Sequence, residues 1–298
     1  MKASLLCSAI LILSLGHVLA AEKIKIASLS TITTEIANEV GGGRVDVTGL
    51  VKPGVDPHSY EPTPDDLKQV EKSQLVLATG KHMEGYLTKL KESAGAKGDL
   101  LQVGDKFPSL HMKAEEGETA GSTNGLVEDP HWWHSVDNME RAAKIVRDEL
   151  IKISPGDKDY FTANADAYLA KLEELKRWIK IKVAELPRDK RKLVTSHDAF
   201  QYFGRDYGFT IYGIEGVSTE DEPSNKKVSD IIDTIKTQHV KAIFFESIEN
   251  PKVSKAITHE SGAAIGGTLY ADGLGEGDAA TYDGMMRHNV KTIVDALK

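Results

Sequence analysis

The 298-residue sequence predicts an α/β protein of two lobes with mostly parallel sheets, joined by one long rigid helix, with any metal site in the interlobe cleft. Three observations carry that expectation. Short apolar runs of strand length alternate with amphipathic stretches of helix length, the pattern of parallel sheets covered by helices. The alternation is interrupted once, between Asp157 and Glu185, by a periodic stretch of about 29 residues that would reach ~43 Å as a helix. The chain is also longer than one hydrophobic core usually holds. The expected division is a leader over 1–20, an N-terminal lobe over 21–153, a linker helix over 154–187 and a C-terminal lobe over 188–298.

The leader reads as a secretory signal peptide. Lys2 supplies the basic start, Leu5 to Leu15 the apolar centre, and Val18-Leu19-Ala20 a small-residue cleavage site. The apolar run is too short to span a bilayer. A lipoprotein reading would rest on Cys7, but almost no apolar run precedes it. Export of a soluble periplasmic protein is the expectation.

From there the elements follow in order. Lys23 to Ser28 reads as a buried strand and Thr31 to Val40 as a helix closed by Gly41-Gly42-Gly43. That glycine run follows a helix, so it reads as a C-cap and not as a phosphate cradle. Arg44 to Val51 is a strand, Pro64 to Lys72 a helix with Thr63 as N-cap, Gln74 to Thr79 a strand, Met83 to Ser93 a helix and Asp99 to Val103 a strand. Lys113 to Glu128 carries no periodicity and reads as a mobile surface loop. Asn138 to Lys152 is an amphipathic helix, broken by Ser154-Pro155-Gly156 before the long helix begins. Beyond Pro187 come strands at Lys192–Ser196, Phe209–Ile214, Lys241–Glu246 and Ala263–Leu269. Helices at Ala199–Tyr207, Asn225–His239, Pro251–His259 and Ala279–Leu297 follow them in turn.

Composition narrows the chemistry. The formal charge of −8 becomes −9 once Lys2 leaves with the leader, which argues against nucleic-acid binding. Cys7 is the single cysteine and also leaves, so the mature chain has no disulfide and no thiolate. A metal site must therefore use His, Asp, Glu or backbone oxygen.

One tripeptide occurs twice: Asp56-Pro57-His58 in VDPHSYEPTPDD and Asp129-Pro130-His131 in EDPHWWHSVDN. Proline fixes its own φ and extends the residue before it, so each histidine is presented from a stiff turn. Ligands of open α/β sheets bind beyond the carboxyl ends of the strands. His58, His131, His197 and Asp272 stand there or on the stiff loops, two from each half. His134, three residues after His131, is a weaker candidate partner. His111, beside the surface loop, reads as a low-affinity capture point. Glu246 ends a strand and is read as a strand-end polar group in preference to a carboxylate orienting a ligand. One of Trp132 and Trp133 is expected to pack under His131. His82, His239, His259 and His288 read as surface or packing residues.

The segments VDPHSYEPTPDD, EDPHWWHSVDN, LVTSHDAFQYFGRDYG and LYADGLGEGDAATYDGMMRHN make the chain resemble the periplasmic metal-binding receptors of zinc and manganese ABC importers, the TroA-like or cluster A-I solute-binding proteins. The resemblance covers essentially the whole mature chain. It implies two α/β lobes on one rigid helix, no enzymatic activity, a monomer, and an ABC-transporter membrane permease as partner. It places the metal ligands on His58, His131, His197 and Asp272. Histidine at the third position implies zinc, where a glutamate would imply manganese, and imidazole suits zinc while oxygen-rich sites suit manganese. Two departures stand out: a second Trp and His134 follow the second motif, and the loop before it is short and acidic instead of His-rich.

Other readings use the same residues. A manganese or iron receptor differs only in cargo. A zinc-dependent metallohydrolase would need an open coordination position and a base, for which Glu246 is the one candidate. A receptor for an organic or chelated-iron ligand would not require the three histidines together.

Overall fold

The computed structural model describes residues 22–95, 97–114, 124–220, 223–248 and 252–298. The expected leader over 1–20 lies outside them. In the N-terminal half the order is β1 (Ile24–Ser28), α1 (Thr31–Gly41), β2 (Val45–Gly49), α2 (Pro64–Lys72), β3 (Leu75–Ala78), α3 (Leu87–Ala94) and β4 (Asp99–Gln102). Its strands form a parallel sheet in the order β2-β1-β3-β4. A small antiparallel pair follows, β5 (His111–Lys113) with β6 (Leu126–Glu128). Next come α4 (Val136–Ile153) and the long α5 (Lys158–Ala184).

The C-terminal half contains β7 (Lys192–Thr195), α6 (Gln201–Tyr207), β8 (Thr210–Gly213), α7 (Asn225–Thr237), β9 (Ala242–Glu246), α8 (Lys252–Ser261), β10 (Ala264–Leu269) and α9 (Tyr282–Leu297). Its sheet is again parallel, in the order β10-β9-β7-β8. The predicted fold class therefore holds.

Local chemistry sets the boundaries. Helix α2 starts on a capping box: the Thr63 hydroxyl accepts from Asp66 N, and Asp66 accepts from Thr63 N, with Pro64 opening the first turn. Helix α1 is capped by Ser30 and stops at Gly42, whose φ of +51° only glycine adopts freely. Helix α3 begins later than its apolar pattern suggests. Gly80, Lys81 and His82 all have positive φ, and the Glu84 carboxylate accepts from Thr79 N at 2.6 Å and Gly80 N at 3.2 Å, which holds that segment as a turn.

Helix α5 buries one stripe: Phe161, Ala165, Tyr168, Leu172, Leu175, Ile179 and Val183. Its N-terminal half docks on α1, where Tyr168 Oη donates to Glu35 at 3.1 Å and Lys171 meets Glu39 at 2.9 Å. Its C-terminal half reaches α9, where Lys182 meets Asp295 at 3.2 Å. Through that stripe one apolar cluster runs from Ile26 of β1 to Leu193 of β7 and Ile293 of α9. Separate cores, expected from length, appear only as two smaller clusters, around Leu50 and Val76 in one half and around Ile231 and Ile243 in the other.

The segment from Lys113 to Glu128 departs from its reading as a featureless loop. Its two ends pair as β5 and β6, with His111 opposite Glu128; residues 115–123 lie outside the described residues. Three-residue strands are too short to show alternation in sequence.

Candidate metal centre

Each strand end delivers one side chain. His58 stands on the loop after β2, His131 between β6 and α4, His197 just after β7, and Asp272 after β10. The structure brings all four together. His131 Nε2 lies 3.3 Å from His58 Nε2 and 3.2 Å from His197 Nε2. Asp272 Oδ1 lies 3.3 Å from His58 Nε2, 3.2 Å from His131 Nε2 and 3.3 Å from His197 Nε2. These are five of the six edges of a tetrahedron. A regular tetrahedron of that edge would have its centre about 2.0 Å from each corner, the length of a zinc–nitrogen bond; all four atoms lie within 4.8 Å of one another, which bounds the sixth edge, His58 to His197. His131 and His197 are fully buried, and the His58 side chain keeps 6% exposure.

The Asp-Pro-His repeat has a mechanical meaning. Asp56 Oδ1 accepts the His58 backbone N–H at 2.8 Å, and Asp129 Oδ1 accepts that of His131 at 2.9 Å. Each aspartate closes a local turn around its proline and fixes where the histidine points. Asp129 Oδ1 also lies 2.9 Å from His131 Nδ1, which turns Nε2 towards the centre.

Glu246 does the same for His197. One carboxylate oxygen accepts from His197 Nδ1 in a short contact, and the other accepts the backbone N–H at 3.2 Å. This corrects the reading of Glu246 as a mere strand-end polar group. Strands β7 and β9 are neighbours, so their carboxyl ends place the two residues side by side. The relation is tertiary and invisible to spacing.

The charge arrangement follows. Burial disfavours a charged imidazole, but the carboxylates of Asp272 and Glu246 override it at His197 and hold its pKa well above the usual value. At His131 burial is likewise outweighed, by Asp129 and Asp272. Burial opposes ionisation of Asp272 too, yet His197 and the hydrogen bonds from His131 and His58 hold its carboxyl well below the usual range. Its Oδ2 is buried with no hydrogen-bond partner.

His134 stays outside this group. Its Nε2 donates to Ala271 O at 2.9 Å and its ring lies on Phe200, centroids 4.3 Å apart. Burial, then the neighbouring His131, pushes its pKa down to about 3, so it stays neutral. Trp133 is the tryptophan that packs against His131, centroids 5.4 Å apart, and its Nε1 also donates to Ala271 O, at 2.8 Å. The Trp-Trp-His segment thus clamps the residue before Asp272. His111 sits on the hairpin, half exposed and 3.6 Å from Glu128, away from the four.

The chain matches the family described as "ZnuA: Zinc-uptake complex component A periplasmic" over residues 26–296. The chain belongs to the ZnuA family. Relatives span nearly its whole length. It is 34% identical over 285 residues to the manganese-binding lipoprotein MntA of Bacillus subtilis, covering 93% of this chain and 90% of that one. It is 33% identical over 280 residues to the zinc-binding protein TroA of Treponema pallidum, covering 91% and 88%. The solved structure of periplasmic zinc-binding TroA from Treponema pallidum superposes with a TM-score of 0.84 at 32% identity, covering 92% of this chain and 99% of that one. Members of the ZnuA family are metal-binding receptors of ABC transporters and not enzymes, which removes the metallohydrolase reading. Such receptors work with a membrane permease and its ATPase. The relatives named here divide between manganese and zinc. No described helix is long and apolar enough to cross a membrane.

Proposed function

We propose that this ZnuA-family receptor binds one zinc ion through His58, His131, His197 and Asp272 and hands it to an ABC permease. The observation that carries the reading is the set of 3.2–3.3 Å edges among three imidazole nitrogens and one carboxylate oxygen. That spacing suits zinc–ligand bonds, and the donor set is nitrogen-rich, which favours zinc over manganese. Four protein ligands leave no position for a substrate water, as befits a holding site. The receptor acts as a soluble periplasmic monomer, exported by residues 1–20 and divided into lobes over 21–153 and 188–298 around the linker 154–187; the two parallel sheets and the docking of α5 on both halves support that division.

Manganese is the second reading, favoured by one observation. The buried, unpartnered Asp272 Oδ2 would supply a fifth donor atom if the carboxylate turned. Because zinc outbinds manganese at almost any nitrogen–oxygen site, equilibrium competition on the metal-stripped protein is read together with the coordination number of each bound ion by X-ray absorption, four for a zinc site and five or more for a manganese site. The expected result is one zinc per chain, held at least a hundredfold more tightly than manganese, and lost by orders of magnitude in His58→Ala, His131→Ala or His197→Ala. A triple variant that keeps full affinity would sink the ligand set, and tighter manganese binding would reverse the metal.

A further inference from the structure

Nothing passes freely in or out of this site. His131 and His197 are fully buried, and the Asp272 side chain is 1% exposed. The void beside Asp272, bounded by Thr31, Val51, Lys52, Val55, Ser247 and Leu274, holds about 10 Å³. That is room for about one water and not for a hydrated cation. One wall must move for an ion to leave.

Three of the four segments are clamped from behind. His131 is pinned at Nδ1 by Asp129, and His197 at Nδ1 by Glu246. The Asp272 loop is held at Ala271 O by Trp133 and His134, at Leu274 N by Thr31 Oγ1 (2.8 Å) and at Tyr270 N by Asn289 Oδ1 (2.9 Å). The fourth, residues 51–63, has neither helix nor strand. It carries His58, the most exposed of the three histidines.

Asp56 is the pivot of that segment. Its Oδ1 accepts from His58 N, and its Oδ2 accepts from the neighbouring Ser59 hydroxyl at 2.9 Å. A third donor comes from the other half of the chain: Thr219 Oγ1 donates to Asp56 Oδ2 at 2.7 Å. Apart from the contacts of the His58 imidazole itself, this is the hydrogen bond that joins 51–59 to the C-terminal half among the described residues. Thr219 is presented from a firm base. Ile214 N donates to Thr195 O (3.0 Å), Glu215 N to Ser196 O (2.8 Å) and Asp198 N to Gly216 O (2.9 Å), which lashes 214–216 to the residues around His197.

We propose that Thr219 is a positioning residue that latches the His58 segment shut and sets how fast bound metal is released. This rests on the reading of His58, His131, His197 and Asp272 as the ligands of the transported ion. Thr219 touches no ligand atom. It holds Asp56, Asp56 holds the His58 backbone, and the His58 ring closes the site. A hydroxyl donating to a carboxylate is stronger than a neutral pair, so its loss speeds opening by on the order of tenfold or more.

The test uses the mature protein as wild type, Thr219→Val and Thr219→Ser. Each is loaded with zinc and mixed with excess chelator, and release is followed by the chelator and by tryptophan emission, since Trp133 packs on His131. All three are expected to bind one zinc, with Thr219→Val releasing it about tenfold faster and Thr219→Ser at close to the wild-type rate. Rescue by serine separates the hydrogen bond from a loss of packing. One zinc bound with an unchanged release rate in Thr219→Val, or serine releasing as fast as valine, overturns the latch and leaves the ligand set intact. Failure of the wild type to bind zinc or manganese overturns the ligand set and the latch with it.

Discussion

Replacing Glu246 by glutamine leaves the shape of the site and removes one charge from behind His197. In the native chain the carboxylate accepts both Nδ1–H and the backbone N–H of His197. It therefore orients the ring and makes Nε2 a better donor to a cation. Loss of such a support typically costs 10–100-fold in metal affinity, or about 1.4–2.8 kcal/mol. Protons oppose part of that loss. In the metal-free protein, burial works against a charged His197, but Asp272 and Glu246 raise its pKa well above the ordinary value. With His197 as a proposed ligand, below that raised pKa the metal would have to displace a proton from it, and affinity would fall with each unit of acid. Glu246→Gln removes one of the two carboxylates, so the free ring titrates lower and the proton competes less at a given pH.

The deficit of the variant therefore narrows as pH falls, because the raised proton affinity of the native His197 works against metal in acid. Zinc affinity measured by chelator competition at about pH 8.5 and about pH 6 should show a gap of up to roughly 10–100-fold that is larger at the first than at the second. Equal affinity of the two proteins at the alkaline point would refute the orienting role. A gap that widens in acid would refute the assignment of the raised pKa to Glu246.

Two further outcomes follow from groups outside the ligand set. Burial pushes the Glu35 carboxyl up to about 7, against the hydrogen bonds that Tyr282 N and Tyr168 Oη donate to it. Its folded pKa exceeds its unfolded one, so its contribution to stability is complete below about pH 4.5 and disappears as pH rises through 7. Glu35→Gln should flatten that stretch of the stability–pH curve by roughly 3 kcal/mol; an unchanged slope in denaturant melts would refute the burial of an uncharged acid. His134→Ala should keep one zinc per chain while lowering stability by about 2 kcal/mol, because a buried ring on Phe200 and a hydrogen bond to Ala271 are lost. Loss of zinc stoichiometry in a folded His134→Ala would make His134 a ligand after all.

Much of this molecule is legible in its sequence, and the parts that are not share one cause. Strands such as Leu75–Ala78, buried at all four positions, and helices such as Pro64–Lys72, opened by Thr63, Pro64 and Asp66, carry their signals within a few residues. The long helix is readable because one stripe, from Phe161 to Val183, keeps helical spacing throughout. The two Asp-Pro-His turns are readable because aspartate, proline and histidine do their work within three residues. Glu246 behind His197, Thr219 on Asp56 and the Trp133–Ala271 clamp depend on which strand ends and loops become neighbours. The order β10-β9-β7-β8, which sets Glu246 beside His197, is not written in any local pattern. Family resemblance supplied the gathering of the four side chains; spacing alone left it open.

The way the site is held also bears on how it discriminates between ions. His131 and His197 cannot spread apart to suit a larger cation without breaking the contacts that Asp129 and Glu246 make to their far nitrogens. The cluster shared by both halves through α5 resists moving the two sheets apart, since separation would expose residues such as Leu175 and Ile179 that are now fully buried. The remaining adjustable donors are His58, on its irregular loop, and Asp272, whose Oδ2 is buried without a partner. Manganese, which takes more oxygen ligands than zinc, would be met by turning one carboxylate, not by rebuilding the imidazole frame. Under the proposed ligand set, the balance between the two ions thus falls on the rotation of Asp272 and on the loop that Thr219 restrains.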